Sequence, residues 1–112
     1  MKIIVSKIIN SNQATIRKEG LLVYVQIKQY ISDDIVEVDF SDIQMVVSSF
    51  LNASIGKLYG DFDDNLIDTN LKIMGLSDDD MELLEEEVIP NAKSFYKNNL
   101  EIETIENKII EE

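Results

Sequence analysis

Apolar residues in this chain recur with two different periods that alternate over six successive segments, which confines the chain to folds in which strands and helices alternate. Lys2 to Ile9 is a β-branched, apolar run suited to a buried strand. Asn10 to Gln13 follow as a turn. From Ala14 to Ile31, residues Ile16, Gly20, Val23, Ile27 and Ile31 are spaced by threes and fours and predict one face of a helix. Val23, Val25 and Ile27 also alternate with Tyr24, Gln26 and Lys28, which is a strand pattern, but the length of the segment favours helix.

Asp33 and Asp34 make a turn, and Ile35 to Phe40 then alternates apolar and acidic positions, the clearest strand in the chain. A short apolar stretch, Ile43 to Val47, leads to Ser48 and Ser49, whose hydroxyls suit the free amide hydrogens at a helix start, with Ser49 the better cap. The helix is expected over Phe50 to Phe62, and Asp61, Asp63, Asp64 and Asn65 either break or extend it. Leu71 to Leu76 reads as a third strand. Ser77, followed by Asp78, Asp79 and Asp80, caps a last helix whose inner face is marked by Met81, Leu84, Val88, Ala92 and Phe95, with a kink or a fresh start expected at Pro90. The expectation is an α/β fold with a small central β-sheet and helices packed on it. Residues 1–97 would form the domain, and 98–112 a charged tail carrying Leu100, Ile102, Ile105, Ile109 and Ile110 that either frays or orders on a partner.

Composition narrows the function. The chain has 112 residues, enough for one core that buries roughly two-thirds of the unfolded surface. Its net charge of −12 repels phosphate backbones and anionic membranes, so neither nucleic acid nor a membrane is expected as a partner. The same charge would speed encounter with a basic protein patch. No cysteine is present, and the first apolar run lacks the cleavage site of a signal peptide, so the cytoplasm is the expected compartment. Nor does any apolar run approach the ~20 residues a membrane span requires.

Catalytic chemistry is poorly supplied. The absence of His and Cys removes the commonest general base, the thiol nucleophile and the usual zinc ligands. Asp61, Asp63, Asn65 and Asp68 are spaced like a calcium loop, but Leu66 stands where glycine is needed and Lys72 where the closing carboxylate belongs, so no metal is expected. No glycine-rich loop follows a strand, and no cofactor is expected. Asp39 and Asp42 sit at a strand end, where α/β sheets often hold ligands, although Asp is also an ordinary turn residue there. Ser49, Ala53, Gly56 and Gly60 would share one face of a regular helix, placed either flat on the sheet or against a partner.

The run Val36-Glu37-Val38-Asp39-Phe40-Ser41-Asp42-Ile43, together with Ser48-Ser49-Phe50-Leu51-Asn52-Ala53 and Gly56-Lys57-Leu58, resembles the STAS-like family of unknown function found in bacteria and other prokaryotes. The resemblance extends over about Ala14 to Lys97. It implies a STAS-like fold and kinship with anti-sigma-factor antagonists. Those proteins bind ATP-using, kinase-like regulators and are switched by phosphorylation of a serine at this helix start. This chain departs from their Asp-Ser-Ser-Gly pattern, with Val47 in place of the Asp and Phe50 in place of the Gly.

Three readings follow. The first is a non-enzymatic interaction or signalling module that meets a protein partner, an ATP-binding kinase-like regulator being the candidate the resemblance implies, through Ser48, Ser49, Phe50, Asn52 and Lys57. The second is a small enzyme or ligand-binding domain using Asp39, Asp42 and Ser49. The third is a homo-oligomer-building subunit whose tail supplies the contact.

Overall fold

The computed structural model describes residues 1–97, and the expected tail, 98–112, lies outside the described residues. Three short strands, β1 (Lys2–Ile4), β3 (Val36–Asp39) and β5 (Leu71–Met74), form a parallel sheet in the order β1-β3-β5. Between β1 and β3 lie α1 (Val5–Ile9), β2 (Gln13–Ala14) and α2 (Arg17–Tyr30). Between β3 and β5 lie β4 (Met45–Val46), α3 (Ser48–Ser54), a 3-10 turn (Gly56–Gly60) and α4 (Asp64–Asn70). The final helix begins as α5 (Asp78–Leu83), passes through a π-turn (Leu84–Val88) and continues as α-helix over 89–97. The outcome is the expected mixed α/β arrangement of helices on a small sheet, and the sheet is parallel.

Both crossovers step the same way across the sheet, so right-handed connections place their helices on one face. Burial follows this geometry. Ile3, Val36 and Val38 point into the core, while Lys2, Ile4, Glu37, Asp39, Lys72 and Met74 occupy the opposite face and stay partly or fully exposed. All-parallel sheets normally have both faces covered. This one is single-faced among the described residues. The alternation expected at Ile35 to Phe40 is therefore legible, because β3 is the central strand and each of its faces has a different neighbour.

Several local expectations are corrected. The strand begun at Lys2 stops at Ile4, and Val5 to Ile9 turns into α1, which buries Val5 and Ile9 at helical spacing and ends where Asn10 adopts a left-handed conformation (φ 54°). Of the expected α2 face, Gly20, Val23, Ile27 and Ile31 are buried, but Ile16 precedes the helix and is 54% exposed. The helix expected over Phe50 to Phe62 starts two residues early and ends at Ser54, where the glycine-bearing segment tightens into the 3-10 turn.

That break dismantles the small-residue stripe. A Cβ on Gly20 of α2 would meet the Phe50 carbonyl oxygen at 2.8 Å and the Ala53 methyl at 3.1 Å, so α2 and α3 touch backbone to backbone there. Gly56 instead faces Val88 and Ala92 of the final helix, and Gly60 faces the Tyr96 ring. These contacts are helix on helix, not helix on sheet. Ser49 is exposed and takes no part.

The last helix begins as expected, with the Ser77 hydroxyl accepting the Asp80 amide hydrogen at 3.2 Å. Its inner positions beyond Met81 are Leu84, Val88, Ala92 and Tyr96, recurring every four residues, wider than the 3.6 of a regular helix. The π-turn absorbs this mismatch, with the Ile89 N–H reaching back five residues to the Leu84 carbonyl. Pro90 follows directly in the continuous helix, where it supplies no N–H to the backbone ladder. The rotation also corrects one core assignment, since Tyr96 packs inward and Phe95 is left 57% exposed.

Candidate functional site

The two phenylalanines of the sequence pattern meet in the core. Phe40, just past the end of β3, and Phe50, in the first turn of α3, are both wholly buried and meet edge to face with ring centroids 6.4 Å apart. Phe50 is thus a core residue that anchors α3 and not a contact surface, which corrects its assignment to the site. With Phe50 and Leu51 locked inward, Ser48, Ser49 and Asn52 are presented outward on a fixed helical turn.

Neither serine caps the helix. Val47 occupies the N-cap position with extended backbone (φ −112°, ψ 158°), and no side-chain cap bond is made. Ser48 and Ser49 are the first two helical residues, and the expected Ser49 cap is corrected accordingly. Beside them, Met45 is 55% exposed on β4, and β4 pairs in parallel with β2, directly ahead of the exposed Ile16. Both residues are exposed at the β2–β4 pair that leads into the serine-bearing turn. Sequence reasoning missed both, because each sits alone at an element boundary where no periodicity marks it.

Lys57 does not join this group. It lies beyond the end of α3, in the 3-10 turn. Its ammonium group sits 5.4 Å from the centre of the Tyr24 ring. Tyr24 donates its hydroxyl hydrogen to Asp61, and Lys28 reaches the same carboxylate at 3.6 Å. Lys57, Lys28, Tyr24 and Asp61 therefore form a polar clasp between α2 and the 3-10 turn.

The strand-end carboxylates are engaged locally. Asp39 accepts the Ser41 hydroxyl hydrogen at 2.5 Å and the Ser41 amide hydrogen at 2.8 Å, and pairs with Lys2 at 3.7 Å. The Ser41 hydroxyl, then its amide, hold the Asp39 carboxyl below the usual range, with Lys2 adding to the effect against a small burial penalty. Gly75 closes the same corner with φ +84°, where any Cβ would overlap the Ser41 amide. Asp42 is exposed and accepts the Ser6 hydroxyl hydrogen at 3.4 Å. The geometry of this corner is that of a turn.

Of the calcium-like set, Asp61 is held by Tyr24 and Lys28, Asp63 is the N-cap of α4, and Asn65 and Asp68 lie within that helix, whose Asp64 pairs with Lys93 at 3.9 Å. A loop that could wrap a cation is replaced by a helix. Among the described residues no group of three or more acidic side chains converges as metal ligands. An open groove of about 680 Å³ runs between Tyr59 to Asn65 and Lys93 to Lys97. Tyr59 stands under Lys93, whose ammonium is 5.5 Å from its ring centre, and burial, followed by the Asp68 and Asp64 carboxylates, pushes its hydroxyl up to about 12. Such a phenol stays protonated at neutral pH and is a hydrogen-bond donor, not a base.

Among the described residues no helix is long and apolar enough to cross a membrane. Comparison with known proteins finds no curated protein and no solved structure that matches the chain. A family model does match, over residues 19–81, a stretch that begins in α2, includes the Phe40–Phe50 contact and the exposed serines, and ends in the first turns of the final helix. That stretch is more than half of the chain, and the chain belongs to the family of STAS-like domains of unknown function.

Proposed function

We propose that this domain is a non-enzymatic protein-interaction module that docks through the turn bearing Ser48, Ser49 and Asn52. One observation carries the reading: three polar side chains stand outward on a helical turn that Phe50 and Leu51 fix to the core, and Met45 and Ile16 are exposed at the β2–β4 pair that leads into it. A rigid polar centre beside apolar anchors suits a protein surface better than a small molecule. The absence of His and Cys and the local engagement of Asp39 argue in the same direction. The STAS resemblance suggests an ATP-binding, kinase-like protein of the cytoplasm as the partner and Ser48 as a modification point. A phosphate there adds about two negative charges. On a chain of net charge −12 it weakens docking unless the partner supplies arginines.

The test is affinity capture of the tagged chain from its own cells, comparing wild type with Ser48→Asp and Ser49→Asp. Ser48→Asp should leave the melting temperature nearly unchanged and reduce recovery of the native partner by about tenfold, or ~1.4 kcal/mol. Undiminished recovery with both variants would remove the switch and leave only the fold.

A further inference from the structure

We propose that the outward stripe of α2 is a docking surface for residues 98–112 of the same chain. Gly20, Val23, Tyr24 and Ile27 face inward, so the opposite side of α2 presents Lys18, Leu22, Val25 and Gln29 at spacings of four, three and four. Leu22 and Val25 are 51% and 49% exposed in mid-helix. Lys18 lies in the stripe itself, and α2 also carries Arg17 and Lys28, the latter paired with Asp61, against one acid of its own, Glu19, so α2 is a basic element in a chain of net charge −12. A surface of this kind fits an acidic segment with an apolar face.

Residues 98–112 have that composition, with five glutamates against one lysine, and with Ile102, Ile105 and Ile109 at spacings of three and four. The described chain ends beside α2. Tyr96 packs on Gly60, the next residue, Asp61, is held by Tyr24 and Lys28 of α2, and the Arg17 guanidinium is near enough to act on the Tyr96 hydroxyl. Fifteen residues extend at most about 50 Å and would span roughly 22 Å as a helix, whereas α2, with 14 residues, is about 21 Å long. A tethered segment also meets its surface at an effective concentration of the order of millimolar, which a separate acidic helix would have to match. A second copy of so acidic a chain is further disfavoured by its charge.

Because the chain has no cysteine, a disulfide between two introduced ones reports proximity without background. The experiment uses full-length Val25→Cys/Ile105→Cys, with Leu22→Cys/Ile105→Cys as a second pair in case the first folds poorly. Glu37→Cys/Ile105→Cys, on the open sheet face, serves as the collision control. Under mild oxidation at micromolar protein, an α2 pair should give a cross-linked monomer at least about tenfold faster than the control pair. Adding Lys18→Glu or 1 M salt should slow it. Equal rates in the α2 and control pairs would overturn the proposal, and so would cross-linked dimers in place of monomers, which would assign the stripe to a second copy.

Discussion

Gly20 shows how one absent side chain sets the distance between two elements. Alanine there would improve helix propensity by roughly 1 kcal/mol. It would also drive a methyl into the Phe50 carbonyl oxygen, which belongs to the α3 backbone and cannot swing aside. Overpacking of that kind costs ~1–3 kcal/mol, so Gly20→Ala is expected to destabilise the fold by about 1–2 kcal/mol net, read as a lower urea midpoint. Asp39 illustrates a charge effect at the same scale. Its carboxyl titrates lower in the folded chain than the ordinary value of about 3.9, so its stabilising contribution is present above that pH and is lost as pH falls through the folded value. Asp39→Asn should therefore lower stability at pH 7 and lose its disadvantage as the pH is brought below about 4. Urea unfolding at pH 7 and pH 3 checks this, and an equal loss at both would show that the hydrogen-bond geometry, not the charge, is what Asp39 contributes.

At the scale of elements, a local sequence signal is reliable only where no backbone choice intervenes. Ser77 and Ser49 both look like caps in the sequence, yet only Ser77 accepts a helix amide, because the chain enters α3 with Val47 in the cap conformation. Ser77→Ala should thus cost ~0.5–2 kcal/mol, whereas Ser49→Ala should stay within about 0.5 kcal/mol of wild type by the same denaturation assay. The inner face of the last helix was legible as far as Ala92 and then failed by one position. Phe95 and Tyr96 exchange roles because the π-turn alters the winding between Leu84 and Val88, and a 3.6-residue template cannot register that. The fold of α1 escaped for a related reason: β-branched residues at Val5, Ile8 and Ile9 satisfy a strand pattern and a buried helical face equally well.

Taken as a whole, the molecule was legible where long-range partners left a local trace. The alternation in β3, the periodicity of α2 and the paired phenylalanines all record burial in the sequence itself. The candidate site was half legible. Its serines and Asn52 were found, but Phe50 belongs to the core, Lys57 to the clasp on Tyr24, and the exposed Met45 and Ile16 left no pattern to read. The parallel sheet has a kinetic corollary. Each of its pairings joins residues 35 positions apart, as Lys2 with Glu37 and Val36 with Leu71, and it contains no hairpin that could form first. The entropy of closing each loop must be met before its strand pair returns energy. The nascent chain can pair β1 with β3 once Asp39 has been made, but β3 has no second neighbour until Leu71–Met74 has been synthesised.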